Sequence, residues 1–219
     1  MIDRLRLLAG TGGDIIGRDQ YLESAVLVPF VETPEGPCLL FEKRSALVRQ
    51  PGEICFPGGV FDPELDEKHS DTALRETVEE LGVRPEQVKI ACRLGTLVGR
   101  MGILVEAFAG VLDIEDVEML SWQRDEVEVV FTLPFRYFLD QPPEIFRVRQ
   151  QVVPYEDRPD GTRETTFPAD KLGLPERYRK PWGGAVGRIF AWETPHGTLW
   201  GITAELVSET VRRWKRTEV

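Results

Sequence analysis

Short runs of apolar residues, separated by turn residues, dominate the first two thirds of the sequence, and this pattern is typical of β-strands. Two of the runs flank residues 33–37, a Thr-Pro-Glu-Gly-Pro turn that predicts a β-hairpin. Another run ends at Pro57, Gly58 and Gly59, which we expect to terminate the strand. The predicted strands in this part are 24–31, 38–42, 53–56, 88–97, 103–112 and 126–133.

The clearest helical pattern covers residues 71–81. Ser70 or Asp71 is its expected N-cap, and Gly82 follows the last apolar position. The N-terminal 20 residues indicate a short charged helix and a glycine-containing loop at 10–14. Later patterns predict a helical turn at 135–139, a hairpin from 188–193 and 198–200, and a helix at 204–215.

Composition narrows the class of protein. The 219 residues are 42% hydrophobic and 29% charged, and no apolar run approaches the length of a membrane span, so we expect a soluble globular protein. No repeat or clear linker interrupts it, which favours a single domain over 1–219, with a core at about 22–140 and an elaborated C-terminal part at 141–219. The net charge of −10 disfavours a nucleic-acid partner.

The cysteines and histidines indicate the cellular compartment of the protein and exclude one kind of metal site. The three cysteines have no CxxC spacing and are odd in number, which suits a reducing compartment better than a disulfide framework. Only two histidines are present, so a histidine-rich metal site is not available. We therefore expect a cytoplasmic protein.

Three carboxylates lie on one side of the predicted helix 71–81. At about 100° per residue, Glu76, Glu79 and Glu80 fall within an arc of roughly 100°, opposite the apolar positions. Most such faces are merely solvated. Carboxylates this close nevertheless repel one another unless a cation neutralises them, and oxygen ligands suit Mg²⁺ or Mn²⁺. Gly58 and Gly59, just upstream, allow the backbone to approach closely, so that a carbonyl oxygen can act as a ligand.

The segment from Gly59 to the motif Arg75-Glu76-x-x-Glu79-Glu80-x-Gly82 resembles the Nudix box, the signature of Mg²⁺-dependent hydrolases of nucleoside diphosphates linked to another moiety. The resemblance implies an α/β fold, the α/β/α sandwich with a mixed β-sheet. It also implies that Glu76, Glu79, Glu80 and the Gly59 carbonyl bind Mg²⁺ or Mn²⁺ and that Arg75 orients the glutamates.

The loop before the helix departs from the family pattern. That pattern places a glutamate six positions after the glycine and eight before the arginine, and no single residue here satisfies both. Glu64 fits when counted from Gly58, and Glu67 fits when counted from Arg75. We expect Glu67 to be the structural partner of Arg75, because the spacing from the helix constrains it more than the length of the loop does.

Residues 39–59 are similar to the motif that precedes the box in coenzyme A diphosphatases. Arg44, Ser45, Leu47, Gly52 and the FPGG of residues 56–59 are retained, whereas Val48, Gln50 and Glu53 replace the motif's Arg, His and Gln. Residues 102–108 and 199–204 are similar to two further segments of that branch. The resemblance implies hydrolysis of coenzyme A or its thioesters to 3′,5′-ADP and 4′-phosphopantetheine or its acyl form.

Substrate binding is expected at Arg44, Ser45, Arg49 and Gly58, with Arg44 the best candidate for a phosphate. For catalysis, a glutamate would take the proton of the attacking water. Glu79 and Glu80 are candidates, and Glu126 is another because it occupies the position of a recurring family glutamate. Alternatively, Glu126 lies on the exposed side of a strand.

Two other functions remain open at this point. One is the same chemistry on ADP-ribose or a dinucleoside polyphosphate, and the other is a non-catalytic, ligand-sensing Nudix module. The intact carboxylate set argues against the sensor, because a retired site has no need of mutually repelling groups. Residues 140–187 either cap the substrate cleft or form a dimer interface, so a homodimer is possible.

Overall fold

The computed structural model describes residues 15–217 and contains a seven-stranded mixed sheet. Five strands follow the order β3-β2-β1-β6-β5, while β4 pairs with β1 and β7 pairs with β2. The β1–β6 pair is parallel and the other pairs in this sheet are antiparallel. The strands are β1 Leu22–Thr33, β2 Gly36–Arg44, β3 Ile54–Cys55, β4 Gly58–Val60, β5 Val88–Val98, β6 Ile103–Leu112 and β7 Val127–Pro134.

Helices cover both faces of this sheet. Helix α1, His69–Leu81, packs on one face, where Ala73 and Leu81 join a buried cluster with strand residues such as Leu40. Helices α2, Phe135–Asp140, and α3, Gly201–Thr217, pack on the other face. Short 3₁₀ turns are Arg18–Gln20, Pro85–Gln87, Val117–Met119 and Glu176–Arg179. The predicted α/β/α sandwich with a mixed sheet is therefore confirmed.

A second, three-stranded sheet follows the core in the order β12-β11-β8. Its strands are β8 Glu144–Val152, β11 Trp182–Thr194 and β12 Gly197–Trp200, and a small hairpin of β9 Tyr155–Asp157 and β10 Arg163–Thr165 is inserted between β8 and β11. Every residue of β8 is exposed. The division into a core and an elaborated C-terminal part of a single domain stays a prediction.

Local sequence signals predict most elements, but three predicted boundaries differ from those in the structure. The hairpin of β1 and β2 is confirmed, with Thr33 opposite Gly36. Helix α1 begins two residues earlier than expected, because Lys68 is the N-cap and the Asp71 side chain accepts a hydrogen bond from the Lys68 N–H at 3.2 Å. Gly58 and Gly59 do not end the pairing, since both belong to β4, and β7 begins just after Glu126.

Gly82 ends α1 as predicted, with a φ of 66° that favours glycine. A Cβ there would lie 2.3 Å from the Ser121 carbonyl oxygen, so packing requires glycine as well. The predicted N-terminal helix and the loop 10–14 lie outside the described residues. Within residues 15–217, no helix combines the length and apolar character that crossing a membrane requires.

Candidate active site

A cavity of about 470 Å³ opens between α1, strand β4 with the loop that follows it, and the end of β2. Three glutamates, one aspartate and two arginines lie in its wall together with glycine backbone and a few apolar side chains. The lining residues are Arg44, Gly58, Gly59, Val60, Phe61, Asp62, Pro63, Leu65, Arg75, Glu76, Glu80 and Glu126. The cavity thus brings together residues from four separate parts of the chain.

The two glycines of β4 let the helix carboxylates come close to the backbone. Strand β4 pairs with β1, and a Cβ on Gly58 would lie 2.4 Å from the Ala25 carbonyl oxygen. A Cβ on Gly59 would lie 2.3 Å from the carboxyl carbon of Glu76. The Gly58 N–H donates a hydrogen bond to a Glu80 carboxylate oxygen at 2.9 Å. A side chain at Gly59 would therefore fill the space that the Glu76 carboxylate occupies, and one at Gly58 would collide with β1.

The position of Arg75 is set by Asp66, not by Glu67. Arg75 donates from Nε at 3.1 Å and from Nη2 at 3.0 Å to the two Asp66 oxygens, and Thr72 donates to the same carboxylate at 2.8 Å. The prediction of Glu67 is wrong, because the loop turns tightly there, with the Asp66 N–H bonded to the Asp62 carbonyl, so that Asp66 points inward while Glu67 is exposed. Glu64 is exposed as well.

Arg75 also engages two of the helix carboxylates. Its Nη1 donates to Glu76 at 2.8 Å and to Glu79 at 3.3 Å. These contacts, and above all those to Asp66, raise the pKa of the guanidinium, while Arg75 holds the pKa of Asp66 below its usual value. A single guanidinium therefore links the loop to two glutamates of α1, which agrees with an orienting role.

Burial dominates the electrostatics of the glutamates that face the cavity. It raises the pKa of Glu80 to about 8, an effect that the Gly58 N–H opposes and that the charges of Glu76 and Glu126 increase. Burial also raises the pKa of Glu76, which the Arg75 hydrogen bond opposes. Like charges held in a poorly solvated place favour either a proton or a cation as the neutralising partner.

The family of the chain follows from a comparison of its sequence with known protein families. The family described as NUDIX domain matches residues 22–171, which is more than half of the 219 residues. The chain belongs to the NUDIX domain family. Residues 59–83, which resemble the Nudix box, lie within the matched region and supply much of the cavity wall.

Named relatives cover part of the chain. A Mus musculus protein named peroxisomal coenzyme A diphosphatase NUDT7 is 38% identical over 63% of this chain and 58% of its own length. A Caenorhabditis elegans protein named peroxisomal coenzyme A diphosphatase ndx-8 is 35% identical over 47% of this chain and 43% of its own length. The chain therefore spans about half the length of these curated relatives.

Among solved structures, a C. elegans Ap4A hydrolase in a binary complex has a TM-score of 0.45 at 22% identity, covering 54% of this chain and 84% of that one. The NUDIX domain of Shewanella oneidensis NrtR with ADP ribose has a TM-score of 0.45 at 21% identity, covering 65% and 89%. Likeness at this level does not distinguish one Nudix substrate from another.

The predicted residues of the Nudix box and its surroundings divide into two groups. Those in the cavity wall are Arg44, Gly58, Gly59, Arg75, Glu76, Glu80 and Glu126. Glu79 lies outside the wall, with 53% of its side chain exposed, and contacts Arg75. Glu126 directly precedes β7 and faces the cavity, whereas Glu128 pairs with Lys43 on the exposed side at 3.2 Å. The roles assigned to all of these residues stay predictions.

Two expected substrate residues do not reach the cavity. Ser45 is buried and donates to the Asp125 carbonyl at 2.5 Å, while its N–H donates to the Glu126 carbonyl at 2.8 Å, so it joins the end of β2 to the segment that carries Glu126. Arg49 is exposed, and its carbonyl accepts a hydrogen bond from Arg44 Nε at 2.8 Å. These two residues support the cavity from outside.

The donor set fits a hard divalent cation in its chemistry. Carboxylates and backbone carbonyls are the ligands that Mg²⁺ and Mn²⁺ prefer, and Gly59 leaves room for Glu76 beside the backbone. As arranged in residues 15–217, no three His, Cys, Asp or Glu side chains converge closely enough to hold a metal ion. Arg75 and the Gly58 N–H contact oxygens of Glu76 and Glu80 instead. Of the predicted ligands, Glu76, Glu80 and Gly59 line the cavity and would hold the cation there, whereas Glu79 lies outside its wall.

One buried acidic residue was not identified from the sequence. Glu42 of β2 is 1% exposed, and the pattern of residues 38–42 indicates only an apolar strand. Burial raises the pKa of Glu42 well above its usual value, and the nearby charge of Glu80 adds to the effect. A charged residue inside an apolar strand was the one signal that could have identified it.

Proposed function

We propose that this chain hydrolyses the pyrophosphate bond of coenzyme A or its thioesters, giving 3′,5′-ADP and 4′-phosphopantetheine or its acyl form, and that it requires Mg²⁺ or Mn²⁺. The observation that carries the proposal is the cavity in which Glu76, Glu80 and Glu126 face Arg44 beside Gly58 and Gly59. The retained Arg44 and FPGG, and the names of the two diphosphatase relatives, support coenzyme A as the substrate.

Each residue of the cavity has a role in this proposal. Arg44 binds a phosphate oxygen of the substrate, because a guanidinium matches phosphate geometry. Arg75, fixed by Asp66, holds the carboxylates of α1 in place. Glu126 or Glu80 takes the proton of the attacking water. The cation, when bound, neutralises the charge that develops on the phosphoryl oxygens.

ADP-ribose and dinucleoside polyphosphates form the second candidate group. The replacements at Val48, Gln50 and Glu53 favour this group if the motif's Arg and His are needed to hold coenzyme A. A purely ligand-sensing module is less favoured, because the buried, mutually repelling carboxylates are costly to keep unless they bind a cation.

Product analysis by liquid chromatography tests the proposal. Coenzyme A, ADP-ribose and diadenosine polyphosphates are incubated side by side with the whole chain and Mg²⁺ or Mn²⁺. We expect 3′,5′-ADP from coenzyme A, with a loss of about 10²–10⁴-fold in rate for Glu80→Gln. Glu128→Gln, an exposed acid outside the cavity, is the matched control. Cleavage of another substrate alone would replace coenzyme A, and no cleavage by folded, Mn²⁺-binding protein would favour the sensor.

A homodimer that does not pair through strand β8, and a cytoplasmic location, complete the proposal. The exposed strand β8 is a free edge, but Arg147 and Arg149 place like charges along it, which disfavours pairing of this edge with its own copy. Light scattering after size-exclusion chromatography would settle the oligomeric state, and imaging of the tagged full chain in its source cell would settle the location.

A further inference from the structure

The second sheet carries arginines that lie directly opposite each other. Arg147 of β8 is opposite Arg188 of β11 in the antiparallel register, and Arg149 is opposite Val186. Residues directly opposite in such a pair share a face, with Cβ atoms about 4.5–5.5 Å apart, and residues two positions along a strand share that face too. Arg147, Arg149 and Arg188 therefore project from one side of the sheet, and we call them the arginine cluster.

The arginine cluster has no acidic partner in the described part of the chain. Within residues 15–217, none of its three guanidinium groups forms an ion pair or donates a hydrogen bond, and Arg188 lies over the ring of Phe190 at 5.5 Å from the centroid. Like charges directly opposite each other destabilise a strand pair. The whole chain has a net charge of −10, so three unpaired cations on one sheet face are the reverse of its average charge.

Protection of a free strand edge explains part of the arginine cluster. Strand β8 is an outer strand of the second sheet, and charges on an edge strand disfavour pairing with another chain, which accounts for Arg147 and Arg149. Strand β11 lies in the centre, between β12 and β8, so Arg188 has no edge to protect. A positive charge opposite Arg147 in the middle of the sheet therefore calls for another reason.

Arg188 also borders a cavity that is separate from the active site. This cavity, of about 550 Å³, lies between β5, β11 and α3, and it shares no lining residue with the active-site cavity. Apolar side chains form part of its wall, among them Leu94, Leu97 and Phe190. An apolar wall with cations at its rim fits a ligand that has an anionic group and a less polar body.

The acids in the wall of this second cavity do not cancel its positive charge. Glu209 accepts hydrogen bonds from Arg212 at 2.8 Å and from Arg213 at 2.6 Å, and these two arginines hold its pKa below its usual value. Glu205 is the other acid in the wall. With Arg188, the wall carries three arginines against two acids, and the rest of the arginine cluster adds two more positive charges on the same face of the sheet.

We propose that the arginine cluster, at the rim of the second cavity, is a further binding site and that its ligand is a phosphate monoester. A guanidinium donates two parallel hydrogen bonds to phosphate oxygens, and a bound dianion would remove the repulsion between Arg147 and Arg188. The inference does not depend on the hydrolase activity, because no residue of the active-site cavity takes part. The phosphate is either free or part of a nucleotide whose body lies against the apolar wall.

Calorimetric titration of the metal-free whole chain with inorganic phosphate and with 5′-AMP tests the site. We expect saturable binding with a Kd of about 1 mM or below, weakened about 10-fold or more in Arg188→Gln. Arg136→Gln is the matched control, because this exposed arginine pairs with Asp140 outside both cavities, and it should change the Kd by less than about twofold. Equal affinities would identify free phosphate as a sufficient ligand, whereas tighter binding of 5′-AMP would identify a nucleotide.

Thermal unfolding separates loss of binding from damage to the fold. Without ligand, Arg188→Gln removes the repulsion from Arg147, so its Tm should equal or slightly exceed that of the unmodified chain. Added phosphate should raise the Tm of the unmodified chain and of Arg136→Gln more than that of Arg188→Gln, because a ligand stabilises the state that binds it.

Three results would overturn the inference. One is the absence of saturable binding of either ligand up to about 10 mM. Another is a Kd that Arg188→Gln leaves unchanged. The third is a Kd that rises in Arg44→Gln and not in Arg188→Gln, since the phosphate would then lie in the active-site cavity.

Discussion

The contact between Asp66 and Arg75 makes a sharp prediction about stability. The Asp66 carboxylate is 2% exposed and accepts hydrogen bonds from Arg75 at 3.0 and 3.1 Å, from Thr72 at 2.8 Å and from the Asp62 N–H at 3.3 Å. Asp66→Asn keeps the size of the side chain. It replaces one acceptor oxygen with an NH₂ group that must face another donor, and it removes the charge opposite Arg75.

The expected magnitude follows from the burial of the two partners. Breaking a buried ion pair by removing one partner costs about 3–5 kcal/mol. Arg75 is 23% exposed and keeps Glu76 and Glu79 as partners, so the loss should be smaller, about 2–3 kcal/mol. For a chain of this length, that corresponds to a decrease in Tm of about 5–10 °C.

Thermal unfolding at neutral pH, followed by circular dichroism, measures this loss. Glu67→Gln and Glu64→Gln change exposed acids of the same loop, and each should alter stability by less than about 0.5 kcal/mol. A loss in Glu67→Gln equal to that in Asp66→Asn would refute the assignment of Asp66 as the partner of Arg75. An unchanged Tm for Asp66→Asn would refute the estimate of its energy.

The dependence on pH gives the same prediction a second readout. Arg75 lowers the pKa of Asp66 below its usual 3.8, so the unfolded chain binds a proton more readily than the folded one. The stability that Asp66 contributes is therefore fully present above about pH 4 and is lost as the pH falls through the lowered pKa. The difference in stability between the chain and Asp66→Asn should shrink below about pH 4.

Three further predictions concern Glu80 and Gly58. Because burial raises the pKa of Glu80 to about 8, a proton competes with the cation, and calorimetry should show the Mn²⁺ affinity rising as the pH approaches 8 and levelling off above it; a flat profile would contradict this. In the metal-free chain, the folded state keeps a proton that the unfolded state has released, so Glu80 should lower stability as the pH rises from about 4.5 to 8, and Glu80→Gln should flatten this slope. Gly58→Ala would place a methyl group 2.4 Å from the Ala25 carbonyl oxygen and should cost about 3 kcal/mol in urea denaturation, against about 1 kcal/mol for Gly36→Ala, where no atom lies within 4 Å; equal losses would contradict the steric explanation.

Local signals were sufficient for much of the fold. The turn at 33–37 and the alternation around it predict the hairpin of β1 and β2, and Gly82 marks the end of α1. Both depend on backbone conformations that a few neighbouring residues determine. The acidic side of α1 could likewise be predicted from the spacing of its glutamates, because helix geometry alone determines which residues share a side.

Long-range contacts could not be derived in this way. Counting from Arg75 selects Glu67, but a tight turn between Asp62 and Asp66 rotates the loop, and the side chain that points inward is one residue earlier. Glu42 looks like an exception within an apolar run, and its burial depends on the packing of α1 on that face of the sheet. Spacing along the chain carries no information on the Asp66 contact or on this burial.

The charges around the cavity explain why a cation would matter for binding as well as for chemistry. Glu76, Glu80, Glu126 and Asp62 lie in the wall against two arginines, of which Arg75 is already engaged by three carboxylates. A pyrophosphate is itself an anion, and Arg44 alone cannot offset the repulsion from this wall. The same carboxylates that a cation would neutralise would otherwise repel an anionic substrate, so metal affinity and substrate affinity should rise and fall together across the Glu76 and Glu80 variants.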